Sequence, residues 1–295
     1  MAVDDEVVQT IDCNTAEEFL GRLSPQDPLW QPDPSGWIFR GHARAEWSLL
    51  STAHRKDVRA YEEWGITEEP NIDSADWFRR QAAETGLWRR FYSALDEAGL
   101  TIPTKPIQTD DGVEVVHLLS EITTDGLPLL ALAQHFGLPT SLLDWTRIAA
   151  KGAYFAAADL GVRDSVGHLA VWALKMKVLN AGIFSDRLVM RDVVAPLASN
   201  PNLLAQSGLF TQARGGAILA VDDYARKQFS EHSKELKPAI PLPWMHKITL
   251  PRSSAARLLQ LLSYSGIHGS SMFPGYAGVV RRLREEAVWK KKPGS

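Results

Sequence analysis

Short apolar runs bounded by turn residues recur at five places along the chain: Glu6–Ile11, Trp37–His42, Gly167–Val178, Gly215–Asp222 and His246–Leu250. Their length and their flanks predict strands. The third run is apolar without alternation from Leu169 to Leu174, as expected of a strand covered on both faces. Pro251 stops the last one.

Between them the apolar period lengthens to that of a helix. Asp73–Leu100 carries Trp77, Phe78, Trp88, Phe91, Tyr92 and Leu95 at helical spacing, with Asp73 or Ser74 as its cap. Asn14-Thr15-Ala16-Glu17-Glu18 offers an N-cap to a short helix bearing Phe19, Leu20 and Leu23, and Ser51–Arg55 opens another helix. Glu114–Gln134 is a second helical region, broken near Gly126-Leu127-Pro128. Its buried part, Leu129–Phe136, ends at Gly137, and Pro139 prevents resumption. Thr140–Leu143 then reads as an apolar link, with Asp144 or Thr146 capping a helix Arg147–Ala158 rich in Ala and Gly. Ser253 or Ser254 caps a helix to Ser263, and Gly278–Trp289 is the last. The Pro- and Asp-rich Ser24–Gly36 and Thr101–Gly112 are loops. The resulting fold class is α+β: a single domain with a mixed β-sheet and packed helices over 1–289, followed by a loose basic tail at 290–295.

Composition narrows this picture. Hydrophobic residues make up 45% and charged residues 23%, which is globular. A net charge of −3 argues against a broad electrostatic grip on nucleic acid, leaving room only for a local basic patch. Cys13 is the one cysteine, so neither a disulfide framework nor a cysteine-rich zinc site is available, and a reducing cytoplasm fits. The opening residues have neither the basic nor the apolar region of a signal peptide, and no run is long enough to span a bilayer. The eight His are scattered without metal-ligand spacing, so no metal is expected.

The chemistry concentrates in two blocks. Trp37–His42, WIFRGH, puts Arg40 and His42 around Gly41 at a strand end, where glycine allows close approach of backbone or ligand. Leu132–Thr146, LAQHFGLPTSLLDWT, gathers His135, Asp144 and Trp145 around a Gly-Leu-Pro turn. Arg40 reads either as a clamp for a phosphate or as an edge-strand ion pair. His135 and Asp144 read either as a general acid–base pair or as two helix-end residues. Arg40, His42, Trp47, Trp145 and Phe210 together would also suit a nucleotide or a single-stranded nucleic-acid base.

In order along the chain, Phe39-Arg40-Gly41, Trp47-Ser48-Leu49, the Gln134–Thr146 block, Gln206–Thr211 and Gly266–Gly278 resemble the FRG domain family. The resemblance runs from about Val7 to Arg284, with Ser141 standing where the family usually has Arg. A fainter similarity links the aromatic-Arg-Gly strand end to arginine-type ADP-ribosyltransferases. It implies NAD as substrate, bound by Arg40, Gly41, His42, Trp47, Trp145 and Phe210, with His135, Asp144 and Gln206 as catalytic residues. Gln206 falls at the late position where those enzymes carry a glutamate. The implied role is a bacterial toxin or phage-defence effector acting on a protein or nucleic-acid acceptor, with no membrane partner. The alternative is a non-catalytic nucleotide or nucleic-acid binding module.

Overall fold

The computed structural model describes residues 4–55, 62–65, 76–103, 127–158, 165–180, 191–193, 201–212, 220–236 and 240–290. In chain order these give α1 (Asp4–Val7), β1 (Val8–Asp12), α2 (Ala16–Arg22), β2 (Trp37–His42), α3 (Asp76–Glu97) and α4 (Leu127–His135). There follow β3 (Leu142–Thr146), α5 (Ala149–Ala158), β4 (His168–Lys175), α6 (Met176–Asn180) and β5 (Arg191–Val193). The chain closes with α7 (Pro201–Gln206), β6 (Gly208–Gln212), α8 (Val221–Leu236), β7 (Met245–Pro251), α9 (Ala255–Tyr264), α10 (Gly269–Met272) and α11 (Tyr276–Lys290).

The fold is α+β. The described strands form one seven-stranded sheet in the order β1-β7-β4-β2-β3-β6-β5. The β1–β7 pair is parallel and the others are antiparallel, so the sheet is mixed. β4 lies between β7 and β2, and its residues Leu169–Leu174 are all buried, which explains the run without alternation. On one face, Trp37, Phe39, Val171 and Ile248 pack with Phe19 of α2, with α5 and with Leu258 and Leu262 of α9. On the other, Ile38, Trp172, Leu174 and Trp145 pack with Ala225 and Phe229 of α8 and with Trp244. A third cluster, with Trp88 of α3, Leu129 and Leu130 of α4 and Leu203 of α7, covers Leu142 and Phe210. Each such fully buried side chain contributes roughly 1.5–3 kcal/mol of transfer free energy.

Several expectations change. The segment expected to be a link plus a helix cap is strand β3, paired with β6 from Leu142↔Gln212 to Thr146↔Gly208. Asp144 is therefore a mid-strand residue. Thr146 ends β3, and its hydroxyl accepts from the Ile148 N–H at 3.2 Å, but α5 begins at Ala149, so Ile148 rather than Thr146 holds the cap position. Gly215–Asp222 is not a strand where it is described: Val221 and Asp222 open α8, and 213–219 lie outside the described residues. Ser254 sits at the start of α9 without a side-chain capping bond, because a 3-10 turn, Arg252–Ser254, leads into the helix. The Ser51–Arg55 segment is likewise one 3-10 turn, Thr52–His54. Within the stretch expected to hold the cap of α2, Asn14–Glu18, the capping residue is Thr15, which accepts from the Glu18 N–H at 3.1 Å. The expected cap at Asp73 or Ser74, most of the Thr101–Gly112 loop, the helical region before Leu127 and the tail after Lys290 lie outside the described residues.

Candidate functional site

β2 and β3 are neighbours in the sheet, yet they pair only at Phe39↔Thr146. Beyond that bridge the strands part. The Arg40 guanidinium occupies the gap, its Nη1 donating to the Asp144 carbonyl oxygen at 2.8 Å and lying 3.4 Å from Asp144 Oδ2. A side chain thus supplies the donor that the ladder lacks. The parting strands leave a cleft of about 440 Å³, within the range of small-molecule sites.

All nine residues singled out from the sequence line this cleft: Arg40, Gly41, His42, Trp47, His135, Asp144, Trp145, Gln206 and Phe210. Their situations differ. The Arg40 side chain is 14% exposed, and burial together with Arg55 pushes against its positive charge while Asp144 sustains it. Arg40 Nε donates to His42 Nε2 at 3.0 Å, so His42 is neutral with its proton on Nδ1. Burial, followed by the charges of Arg40 and Arg55, holds the His42 pKa well below its ordinary value. His42 Nδ1 is buried without a hydrogen-bond partner. Trp47 stands at the rim, 41% exposed, its ring edge-on to His42 at 6.1 Å.

Asp144 is the lining carboxylate, its side chain 58% exposed. Gln134 Nε2 donates to Asp144 Oδ1 at 2.6 Å, and the Thr140 hydroxyl donates to Gln134 Oε1, which fixes the direction of the amide. His135 is not joined to Asp144. Its Nε2 meets Asn202 Nδ2 at 3.3 Å and its ring lies against Phe136. The expected His135–Asp144 acid–base pair is absent because adjacent residues at the end of α4 project in different directions, and Gln134 takes the position facing Asp144.

Gln206 ends α7, where its Nε2 donates to the Met272 carbonyl at 3.2 Å and its own carbonyl accepts from the Thr146 hydroxyl at 2.7 Å. Ser207 beside it has a φ of 51°, a strained conformation for a residue with a Cβ. Bonds hold it there: its carbonyl accepts from the Arg147 N–H at 3.1 Å and its hydroxyl from Lys151 Nζ at 2.8 Å. As an amide, Gln206 cannot take up a proton as a glutamate would.

Gly41 is required by packing. A Cβ there would lie 2.1 Å from the Gly152 carbonyl oxygen and 2.5 Å from the Ala156 nitrogen. The close approach that its position suggests is that of the α5 backbone, consistent with the Ala- and Gly-rich surface of that helix. Trp145 is 3% exposed, packed in the core, and its indole N–H donates to Thr211 Oγ1 at 2.8 Å. Phe210 is 5% exposed beneath α4. These two rings form cleft walls rather than open stacking surfaces.

Sequence reasoning missed Arg55, Gln134, Phe155 and Phe273, which also line the cleft. Gln134 stood beside His135 in the same block, so its motif was visible although its role was not. Arg55 carries no periodic signal and reaches the cleft through a turn. Phe155 and Phe273 come from α5 and the α10–α11 junction, the latter under Arg281 at 4.5 Å.

Residues 35–164 match the family model for the FRG domain. The match takes in β2, β3, α3, α4 and α5, hence Arg40, His42, Trp47, Gln134, His135 and Asp144, whereas Gln206, Phe210 and Phe273 lie beyond it. No curated protein and no solved structure matches the chain. Among the described residues no helix is long and apolar enough to cross a membrane, and no cluster of His, Cys, Asp and Glu suits a metal ion.

Proposed function

We propose that the cleft binds a nucleotide through Arg40 and that NAD is its substrate for ADP-ribosyl transfer. The observation that carries the reading is the meeting of Arg40 and Asp144 across the parted strands, which sets a half-buried guanidinium beside an open carboxylate. Arg40 spends Nε on His42 and Nη1 on Asp144, leaving Nη2 for a phosphate oxygen. Trp47 at the rim offers a ring face to a base or to nicotinamide. In the transfer, the bond between the nicotinamide nitrogen and ribose C1′ breaks and nicotinamide leaves neutral with the electron pair. The acceptor's lone pair forms the new bond to C1′, and its proton passes to the Asp144 carboxylate. The negative charge of Asp144 also favours the oxocarbenium-like centre that precedes attack. His135, bonded to Asn202, has no step in this scheme.

A second reading is supported by the lining itself. Asp144 is its carboxylate, engaged by Gln134 and Arg40, and no glutamate of the described residues lines the cleft. That lining suits a module that binds a nucleotide without turnover. A toxin or phage-defence role rests on the family resemblance and would follow from the transfer reaction.

Nicotinamide release from NAD, with protein, DNA or RNA added as acceptor, separates the two. The transfer reading expects release that falls at least a hundredfold in Asp144→Asn while NAD still raises the melting temperature of that variant. Absence of release from the wild-type protein with every acceptor, with the thermal shift retained, leaves the binding module.

A further inference from the structure

The cleft contains a second guanidinium besides that of Arg40. Arg55 follows the 3-10 turn Thr52–His54, and its Nε donates to the Leu50 carbonyl at 3.2 Å. That bond engages Nε, no bond from either Nη to another described residue is seen, and the side chain lines the cleft. Its charge acts on both Arg40 and His42. Among the described residues no carboxylate pairs with Arg55, and the one lining carboxylate, Asp144, is turned to Gln134 and Arg40. Two cations therefore share a partly buried cleft with a single anion, in a chain of net charge −3. Placing like charges together costs free energy, and a bound dianion recovers it.

The donors of Arg40 set the stoichiometry. With Nε and Nη1 engaged, it can serve one phosphate and cannot wrap two. A ligand with two adjacent phosphates needs a second fork. Resting on the nucleotide reading, we infer that Arg55 is a second phosphate-binding side chain and that the Arg40–Arg55 pair makes the cleft select pyrophosphate-bearing nucleotides over monophosphates. A planar guanidinium anchored through Nε suits bidentate contact with phosphate oxygens.

The test is calorimetric titration of ADP and AMP into the full chain, wild type beside Arg55→Gln, Arg55→Lys and Arg40→Gln. Wild type should bind ADP about ten- to a hundredfold more tightly than AMP, the worth of one charged hydrogen-bonded contact. Arg55→Gln should lose that preference by weakening ADP alone, whereas Arg40→Gln should weaken both ligands. Arg55→Lys, which keeps the charge without the fork, should retain part of the preference, and it decides the matter should the Gln variant fail to fold. A preference unchanged in Arg55→Gln, or equal wild-type affinity for the two ligands, overturns the second-phosphate role and leaves the nucleotide reading intact. Binding of neither ligand, nor of NAD, by the wild type overturns both.

Discussion

Glu84 provides a quantitative test of how α3 is fastened to the site. Its carboxyl is buried, 7% exposed, and accepts the Ser141 N–H at 2.6 Å, one residue before β3. The Ser141 hydroxyl in turn accepts from Gln212 Nε2 at 3.0 Å, tying the same point to β6. Burial raises the Glu84 pKa to about 7 from 4.5, and the bonds from Ser141 only partly oppose this. A carboxyl that is harder to ionise in the folded state contributes stability that is fully present below its unfolded value. That contribution is lost as pH rises through the folded value. A displacement from 4.5 to about 7 corresponds to about 3 kcal/mol, an order-of-magnitude figure. Glu84→Gln keeps an acceptor for the Ser141 N–H and cannot ionise. Urea unfolding at pH 5 and pH 8, followed by circular dichroism, should therefore show the variant close to wild type at pH 5 and more stable by about 3 kcal/mol at pH 8. A difference that does not change between those pH values would mean that ionisation of Glu84 does not separate the two proteins, because a purely steric or packing effect has no pH dependence.

Other consequences follow from the same geometry. Gly41→Ala should destabilise by more than about 3 kcal/mol in urea titration, since the new Cβ meets helix backbone on two sides. Gly86→Ala in α3, where a Cβ meets nothing within 4 Å, should stabilise by roughly 0.5–1 kcal/mol; similar outcomes for the two would contradict the packing argument. His246 is buried between Trp30 and Trp37, which with Lys175 lowers its pKa to about 4. A histidine that resists protonation when folded loses stability as pH falls from about 6.5 to about 4, by about 3 kcal/mol in total. His246→Phe should flatten the acid limb of a melting-temperature profile over that window, and an unchanged limb would assign it to other groups. His42, lowered in the same direction, adds to the wild-type slope.

Much of the architecture was legible because single physical signals dominate it. The unalternating Leu169–Leu174 run gives β4, and Gly137, with φ of 91°, ends α4 where expected. β3 and β6 were not legible as strands. Each is five residues long, and Asp144 in the middle of β3 imitates a helix cap. What makes β3 a strand is its β6 partner, a non-local fact. Gly41 shows the same limit from the other side: the local requirement for close approach was readable, and the identity of the approaching group was not. The site residues could be gathered from their motifs, but their partners could not. Gln134 rather than His135 faces Asp144, and Arg55 reaches the cleft only because the turn before it packs there.

On the proposed reading, Arg40 receives the phosphate of a nucleotide in the cleft between β2 and β3. Calorimetric titration of NAD into the wild-type protein and into Arg40→Gln separates this role from a purely structural one. The wild type should bind saturably at one site per chain. The variant should bind at least tenfold more weakly, with a melting temperature within a few degrees of wild type. Equal affinity in the two proteins, or no binding to a folded wild-type protein, would rule out a phosphate-binding Arg40.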